Sequence, residues 1–529
     1  MVERKVSWLG TPFYIFLFST YPSLALLSTN SQEVDSIVVI RPLLASILFT
    51  GLATGILYGL LKEQAKAYLG TAVILLLFFS YGHVARWLLE RFEPEQGTFI
   101  DISLSIVYFA IFCLSFYAIA KAHRDFSAWN AGLNVTAMVL LLFPFFEIFS
   151  GLVARFPTAQ SSHEQINASQ DPIETALRMP SEESGLVEHP DIYYILLDGY
   201  SRADTLEAMG YDNSQFLQSL EQMGFYVVAC STSNYRSTLL SMPSIFNMEY
   251  LHDFLPFAGE DNSSVPLLSN FLIHNRVRSE LEKLGYTIIS FETGYEWNEW
   301  TDADYFLAPN NNSALRTMFV PYLTQFEYLF LQNTALGPYV ENSKFGTTRY
   351  NDLYERVNFT LEELPNTVSL KGPKFVYAHI LAPHYPFIFL SDGSLNSDPR
   401  YYTSEEGTPS DPELTRIGYI NNVQFLNSRV SDILQTILQN STTPPVIIIQ
   451  GDHGHVIPER RFNNLSAFYL PNVKSELLYP QISSVNTFRV VFNEYFGADF
   501  ELLEDTSFDA HIGEPLLTKA VKPFPETCP

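Results

Sequence analysis

Five long apolar stretches fill the first third of the chain, at about 8–27, 37–61, 68–89, 100–120 and 133–154. A hydrocarbon core ~30 Å thick takes about 20 apolar residues of helix to cross, and each stretch supplies them. Trp8, Tyr14, Tyr81, Trp87 and Trp129 lie near the ends, where aromatic side chains suit the membrane–water interface. The first stretch lacks a clear small-residue cleavage site and four more follow, so it reads as a span and not as a cleaved signal. Arg4, Lys5, Lys62, Lys66, Lys121 and Arg124 fall on one side of this layout, against Arg41, Arg86, Arg91 and Arg155 on the other. The excess of positive charge on the first side predicts a cytoplasmic N-terminus on a plasma (inner) membrane. After five spans, everything beyond residue 155 is then extracytoplasmic. Glu147 is the exception within the fifth stretch, either facing a bundle interior or partly hydrated near its outer end.

The pattern changes after residue 155. Residues 156–189 are rich in Ser, Glu, Gln and Pro without an apolar period, which predicts a linker, partly helical around 173–178. From Asp191 onward short apolar runs alternate with helical patterns. Strands are expected at 193–197, 224–229, 287–291, 374–379 and 446–450, and helices at 213–223, 277–284, 350–361 and 415–438. Such alternation predicts an α/β domain with a mostly parallel central sheet. The expected organisation is therefore a five-helix transmembrane domain over 1–155, a linker over 156–189, a catalytic domain over 190–500 and a C-terminal appendage over 501–529.

Charge separates these parts. Of 31 Lys+Arg and 57 Asp+Glu, residues 1–155 hold ten of each, so the whole net charge of −26 lies further on. A strongly acidic domain is a poor partner for nucleic acid or anionic surfaces. The three cysteines, Cys113, Cys230 and Cys528, form no zinc-knuckle spacing and suggest no disulfide framework.

The chemistry gathers where apolar runs stop. Ile192–Leu197 ends in Asp198-Gly199, and Val446–Gln450 ends in Gly451-Asp452-His453-Gly454-His455. Two buried strands thus deliver metal-ligand side chains to the carboxyl edge of a sheet, where open α/β folds bind ligands. A third run ends at His379, with His384 five residues later in a Pro-rich loop. Between them, the Ser/Thr-rich segment 231–244 leads into an apolar run that can start a helix. A hydroxyl there serves either as an ordinary N-cap or beside an anion held by free N–H groups.

The ordered set Leu197-Asp198-Gly199, the Ser/Thr segment, the two-His loop and Gly451-Asp452-His453-Gly454 resembles the alkaline phosphatase/sulfatase superfamily. With the N-terminal spans it looks most like the membrane branch, the phosphoethanolamine transferases and lipoteichoic acid synthases. The resemblance implies that Asp198, Thr238, Asp452 and His453 hold a divalent cation, Zn, Mn, Mg or Ca, with zinc or manganese favoured. It makes Thr238 the nucleophile, because a Thr stands five residues before the proline in the transferases, as Thr238 does before Pro243. His384 becomes a catalytic residue, with His379, His384 and Asn234 expected to bind substrate. Two departures stand out. Ser241-Met242-Pro243-Ser244 fits the sulfatase signature halfway, leaving Ser241 as fallback nucleophile, but Ile245 replaces its Arg. Cys230 precedes the segment, yet Ser244 stands where a partner cysteine is usual. The expected function is a metal-dependent phospho-group transferase or phosphodiesterase acting on a membrane lipid head group or envelope glycan. An envelope sulfatase and a non-catalytic membrane protein with a decayed site are the alternatives.

Overall fold

The computed structural model describes residues 11–30, 36–89, 91, 97–123, 126–155, 189–255, 264–309, 323–341, 347, 350–402, 408–473 and 478–522. The expected linker 156–189 lies outside them except for its last residue. The chain divides into two compact units. One combines residues 1–168 with 312–349, and the other combines 169–311 with 350–529. The division differs from the expected boundaries: 312–349 leaves the α/β part and folds with the apolar helices, while the residues after 500 belong to the α/β unit.

The first unit contains α1 (Tyr14–Thr29), α2 (Ile40–Leu61), α3 (Gln64–Leu89), α4 (Gly97–Lys121) and α5 (Ser127–Arg155). Four helices among the described residues, all but α1, are long and apolar enough to cross a membrane. Five were expected. The 16 described residues of α1 extend ~24 Å at 1.5 Å per residue, short of a hydrocarbon core. These helices carry their large apolar side chains outward, with Ile106, Phe109, Leu114 and Tyr117 of α4 exposed, and their small polar ones inward. Thr54 and Thr71 share a hydrogen bond of 3.0 Å between α2 and α3, and Gly70 leaves room for Leu57. Small and hydroxyl residues at the contacts are what packing in lipid requires, since apolar surface gains nothing by leaving an apolar solvent. Glu147 is half-buried on α5.

The second unit is built on a seven-stranded sheet in the order β2-β7-β6-β1-β5-β3-β4. Its strands are β1 (Ile192–Leu197), β2 (Tyr226–Val227), β3 (Thr287–Phe291), β4 (Tyr305–Leu307), β5 (Lys374–Ile380), β6 (Val446–Gln450) and β7 (Ser466–Tyr469). β6, β1, β5, β3 and β4 run parallel, and β7 is antiparallel to both β6 and β2. β1 lies in the middle, buried at every position. Alternate residues enter two cores. Tyr193, Ile195 and Leu197 face α7 (Pro412–Asn440) through Tyr419, Val423 and Leu426. Ile192, Tyr194 and Leu196 face α6 (Thr238–Asn247) through Met242, Ile245 and Phe246, together with Phe488 and Val491. Burial on both faces explains why these strands read as continuous apolar runs.

β7 and the two-residue β2 depart from the expected strands, because β7 is too short to establish a period and only two residues of 224–229 pair. The expected appendage contains a hairpin of β8 (Ser507–His511) and β9 (Glu514–Val521). Its first strand is tied to the Ser/Thr segment: Phe508 N donates to Asn234 O at 2.8 Å, and Arg236 pairs with Asp509 at 2.7 Å.

The opposite end of the sheet holds a buried ion pair. Lys374 is 1% exposed, and its ammonium donates to Asp191 Oδ2 and to Leu370 O. Asp191→Ala leaves this charge without its counter-ion, which costs on the order of 3 kcal/mol. A lower thermal midpoint of the detergent-solubilised chain is expected, and an unchanged midpoint contradicts this role.

Candidate active site

The register places the carboxylates. Leu196 of β1 stands opposite both Gln450 of β6 and His379 of β5. Asp198 and Asp452, each two residues further on, therefore leave adjacent strands at the same level. The chain turns at once after β1 because Gly199 has φ +68°, a conformation with no Cβ penalty for glycine. Gly199 N donates to Asp452 Oδ1 at 2.9 Å, and His384 N donates to Asp198 O at 2.9 Å. Gly451 is required by close approach, since a Cβ there would lie 2.4 Å from Tyr200 O.

Asp198, His384 and His453 each offer a donor atom, and the three atoms lie within 4.8 Å of one another. Two imidazoles have their protons assigned by the backbone. His384 Nδ1 donates to Tyr385 O at 2.8 Å and His453 Nδ1 to Gly454 O at 2.7 Å. A carbonyl only accepts, so in each neutral ring the lone pair sits on Nε2. Such second contacts fix ligating histidines. Asp198 Oδ1 and Asp452 Oδ2 are buried without hydrogen-bond partners, and His453 Nε2 lies 3.4 Å from Asp452 Oδ2. Two carboxylate oxygens and two imidazole lone pairs with no proton to share fit a divalent cation, and N/O donors of this kind suit zinc or manganese. Burial opposes ionisation of Asp198, but His384, a hydrogen bond from His379 and His453 together hold its carboxyl well below the usual range. Burial keeps His384 below the ordinary imidazole value, partly opposed by Asp198.

His379 stands behind Asp198. Its Nε2 lies 3.3 Å from Asp198 Oδ2, and its Nδ1 lies 3.4 Å from Asn298 Nδ2. Thr293 donates its hydroxyl to Asn298 Oδ1 at 2.6 Å, which turns the amide nitrogen toward the ring. His379 therefore accepts at Nδ1 and points its Nε2–H at Asp198. Its Nε2 faces Asp198 without a regular hydrogen bond, its Nδ1 lies against Asn298, and at 4% exposed the ring has little access to a substrate.

Thr238 is the first residue of α6 and is half-buried. Ser237 before it is extended and makes no side-chain cap, and its hydroxyl is buried without a partner. The helix N-terminus thus keeps N–H groups for an anion. The lead-in is stitched to the loop that follows His453: Ser231 Oγ donates to Asn464 Oδ1 at 2.9 Å and Ser233 N to Phe462 O at 2.8 Å. Two expected site residues are placed elsewhere. Asn234 donates to Ser483 Oγ and Thr506 O and accepts from Val485 N, so its amide is consumed as a latch. Ser241 is 1% exposed and donates to Tyr235 O at 2.9 Å, which leaves no hydroxyl for a substrate. Cys230 is disulfide-bonded, contrary to the expectation of no disulfide, while Cys113 is free.

Three further residues shape the site. His455 is 3% exposed, its ring 4.3 Å from that of His384, with both nitrogens lacking hydrogen bonds. Burial first, then the neighbouring His384, His453 and Arg461, hold it neutral. The repeated His in Asp-His-Gly-His is its signal in the sequence. Asn298 ends a three-residue 3-10 helix, Glu296–Asn298, that has no signal in the sequence. Tyr419 of α7 accepts from Ser201 N at 2.9 Å and donates to Gly199 O at 2.8 Å, bracing the turn after Asp198. Tyr419→Phe leaves both groups buried and unpaired, at a cost of about 1–3 kcal/mol. A fall in thermal midpoint together with weaker metal retention is expected, and loss of neither contradicts the brace.

No family model matches the sequence, and no curated protein matches it. Solved structures do match. The C-terminal periplasmic domain of EcEptC from Escherichia coli in complex with Zn is 11% identical, with a TM-score of 0.41, over 64% of this chain and 94% of that one. The corresponding domain of phosphoethanolamine transferase EptC from Campylobacter jejuni is 14% identical, with a TM-score of 0.36, over 60% and 92%. The lipoteichoic acid synthase LtaP from Listeria monocytogenes is 12% identical, with a TM-score of 0.38, over 64% and 81%.

Proposed function

We propose that this chain is a membrane-anchored enzyme of the alkaline phosphatase/sulfatase superfamily that transfers or hydrolyses a phospho-group through Thr238. The reading is carried by the convergence of Asp198, His384 and His453 on one point, beside Asp452, at the carboxyl edge of the sheet. Asp198, Asp452 and His453, with Thr238, would hold a divalent cation, and that cation would supply charge neutralisation at the phosphoryl group and acidify the hydroxyl. The chain's own residues do the rest. Thr238 Oγ forms a bond to phosphorus as the lipid or glycan oxygen leaves. The open N–H groups of α6 bind the phosphoryl oxygens. His384, left out of this ligand set so that its Nε2 lone pair stays free, carries the proton from the hydroxyl to the leaving oxygen. An acceptor hydroxyl or water then bonds to phosphorus as the Thr238 Oγ–P bond breaks, its proton passing through His384 to Thr238 Oγ.

The disulfide at Cys230 requires an oxidising compartment. It supports an extracytoplasmic α/β unit and a cytoplasmic N-terminus on the plasma (inner) membrane. The buried, hydrogen-bonded Ser241 disfavours formylglycine chemistry. Purified protein loaded with zinc or manganese is expected to cleave a phosphodiester and not an aryl sulfate, with residue 241 retaining the mass of serine. Sulfate-ester cleavage with a formylglycine mass at 241 would overturn the reading in favour of a sulfatase.

A further inference from the structure

Residues 328–340, Tyr-Leu-Phe-Leu-Gln-Asn-Thr-Ala-Leu-Gly-Pro-Tyr-Val, carry no charge and lie between Glu327 and Glu341. In sequence they fall between β4 and the helix Asn351–Glu363, yet they fold with the apolar helices. The helices Gln325–Gln332 and Gly337–Glu341 form a pair whose turn rests on the flank of α3. Ala335 N donates to Phe78 O at 2.9 Å. A Cβ on Gly82 would lie 2.3 Å from Gln332 O, so only glycine admits the contact. Phe330 packs on Phe79 with ring centres 5.9 Å apart, and Arg86 donates to Asn333 Oδ1 at 3.2 Å.

The depth of this contact is informative. Phe78 and Gly82 precede Leu89, the last residue of α3, by 11 and 7 positions. At 1.5 Å per residue the turn lies roughly 10–16 Å below the end of α3, and because α3 at ~39 Å overhangs a ~30 Å core, this places the turn within the outer part of one hydrocarbon leaflet. Backbone at that depth has to find its partners within the protein. It does: Asn333 Nδ2 donates to Leu329 O, Thr334 Oγ1 to Leu331 O, Leu336 N to Thr334 Oγ1 and Gly337 N to Thr334 O. The entrance is marked by the Arg41–Glu327 pair at 2.8 Å. The hairpin exposes large apolar side chains, with Leu336 43% and Tyr339 76% exposed. An uncharged segment of about this length, too short to span, is what a re-entrant loop requires.

We propose that residues 328–340 are a re-entrant hairpin that dips into the outer leaflet beside α3 and lays Leu336 and Tyr339 against lipid. The proposal rests on the membrane reading of α2–α5, and Cys113 allows the two to be separated. Cys113 is free and exposed on α4, so a thiol-reactive fluorophore there reports whether the spans lie in lipid. The full chain, labelled either at Cys113 or at residue 339 or 336 in Cys113→Ser/Tyr339→Cys and Cys113→Ser/Leu336→Cys variants, is reconstituted in phosphatidylcholine vesicles containing nitroxide-labelled phosphatidylcholine. Quenching severalfold above that in nitroxide-free vesicles is expected at all three positions. Quenching at Cys113 with none at 336 and 339 overturns the hairpin while the spans stand. Absence of quenching at every position overturns both.

Discussion

Thr238→Ala is expected to lower turnover about a thousandfold or more while the protein keeps its metal. The reason is local. Thr238 opens α6, whose remaining turns are fixed by Leu240, Met242, Ile245 and Phe246 in the core. Removing a half-buried hydroxyl from the first position disturbs neither those contacts nor the lead-in bonds from Ser231 and Ser233. Asp198, Asp452 and His453 remain to hold the ion. Metal content and phosphodiester cleavage measured on the same preparation separate the roles. Full activity of Thr238→Ala would exclude it as nucleophile, and loss of the metal together with activity would make it chiefly a ligand.

The second large effect is at Asp198. Asp198→Asn removes a buried carboxylate whose Oδ1 has no partner and whose Oδ2 faces His379. The amide matches its shape but supplies no charge, so metal affinity should drop by roughly a hundredfold or more. His379→Ala, which only releases the carboxylate from its orienting contact, should cost nearer tenfold. Titration against a chromogenic chelator at neutral pH ranks them. Equal losses would place His379 among the ligands, and an unaltered affinity in Asp198→Asn would remove Asp198 from the site.

Much of this candidate site was visible in the sequence because it hangs on strands buried on both faces. An apolar run such as Tyr-Tyr-Ile-Leu-Leu ending in Asp-Gly marks both a strand and its exit, so Asp198, Asp452 and His453 follow from where hydrophobicity stops. β1, β3, β5 and β6 fall within a residue or so of their expected bounds. Residues whose roles depend on side-chain partners were not visible. Asn234 looked available in a polar segment, but Ser483 and Val485, far along the chain, consume it. The contact of Asn298 with His379, between residues 81 apart, leaves no local pattern either. The first helix was harder still, because a 16-residue helix within an apolar stretch leaves no mark of where it stops being helical. The excursion of 312–349 had no signal either: it lies in the middle of an α/β pattern, and only its contacts with α1, α2 and α3 remove it from that domain.

The position of β1 has a consequence for how the protein is made. Its two neighbours are β5, beginning at Lys374, and β6, beginning at Val446, so the first strand of the sheet emerges long before either partner exists. Between them the chain leaves for the apolar helices and returns. Pairing so distant in sequence is slow, and an unpaired hydrophobic strand is prone to aggregate. The donors at 198, 384 and 453 can therefore converge only after almost the whole chain has been synthesised. Chains cut short before Gln450 should accumulate as insoluble material, and the candidate site can form only once β6 has been made.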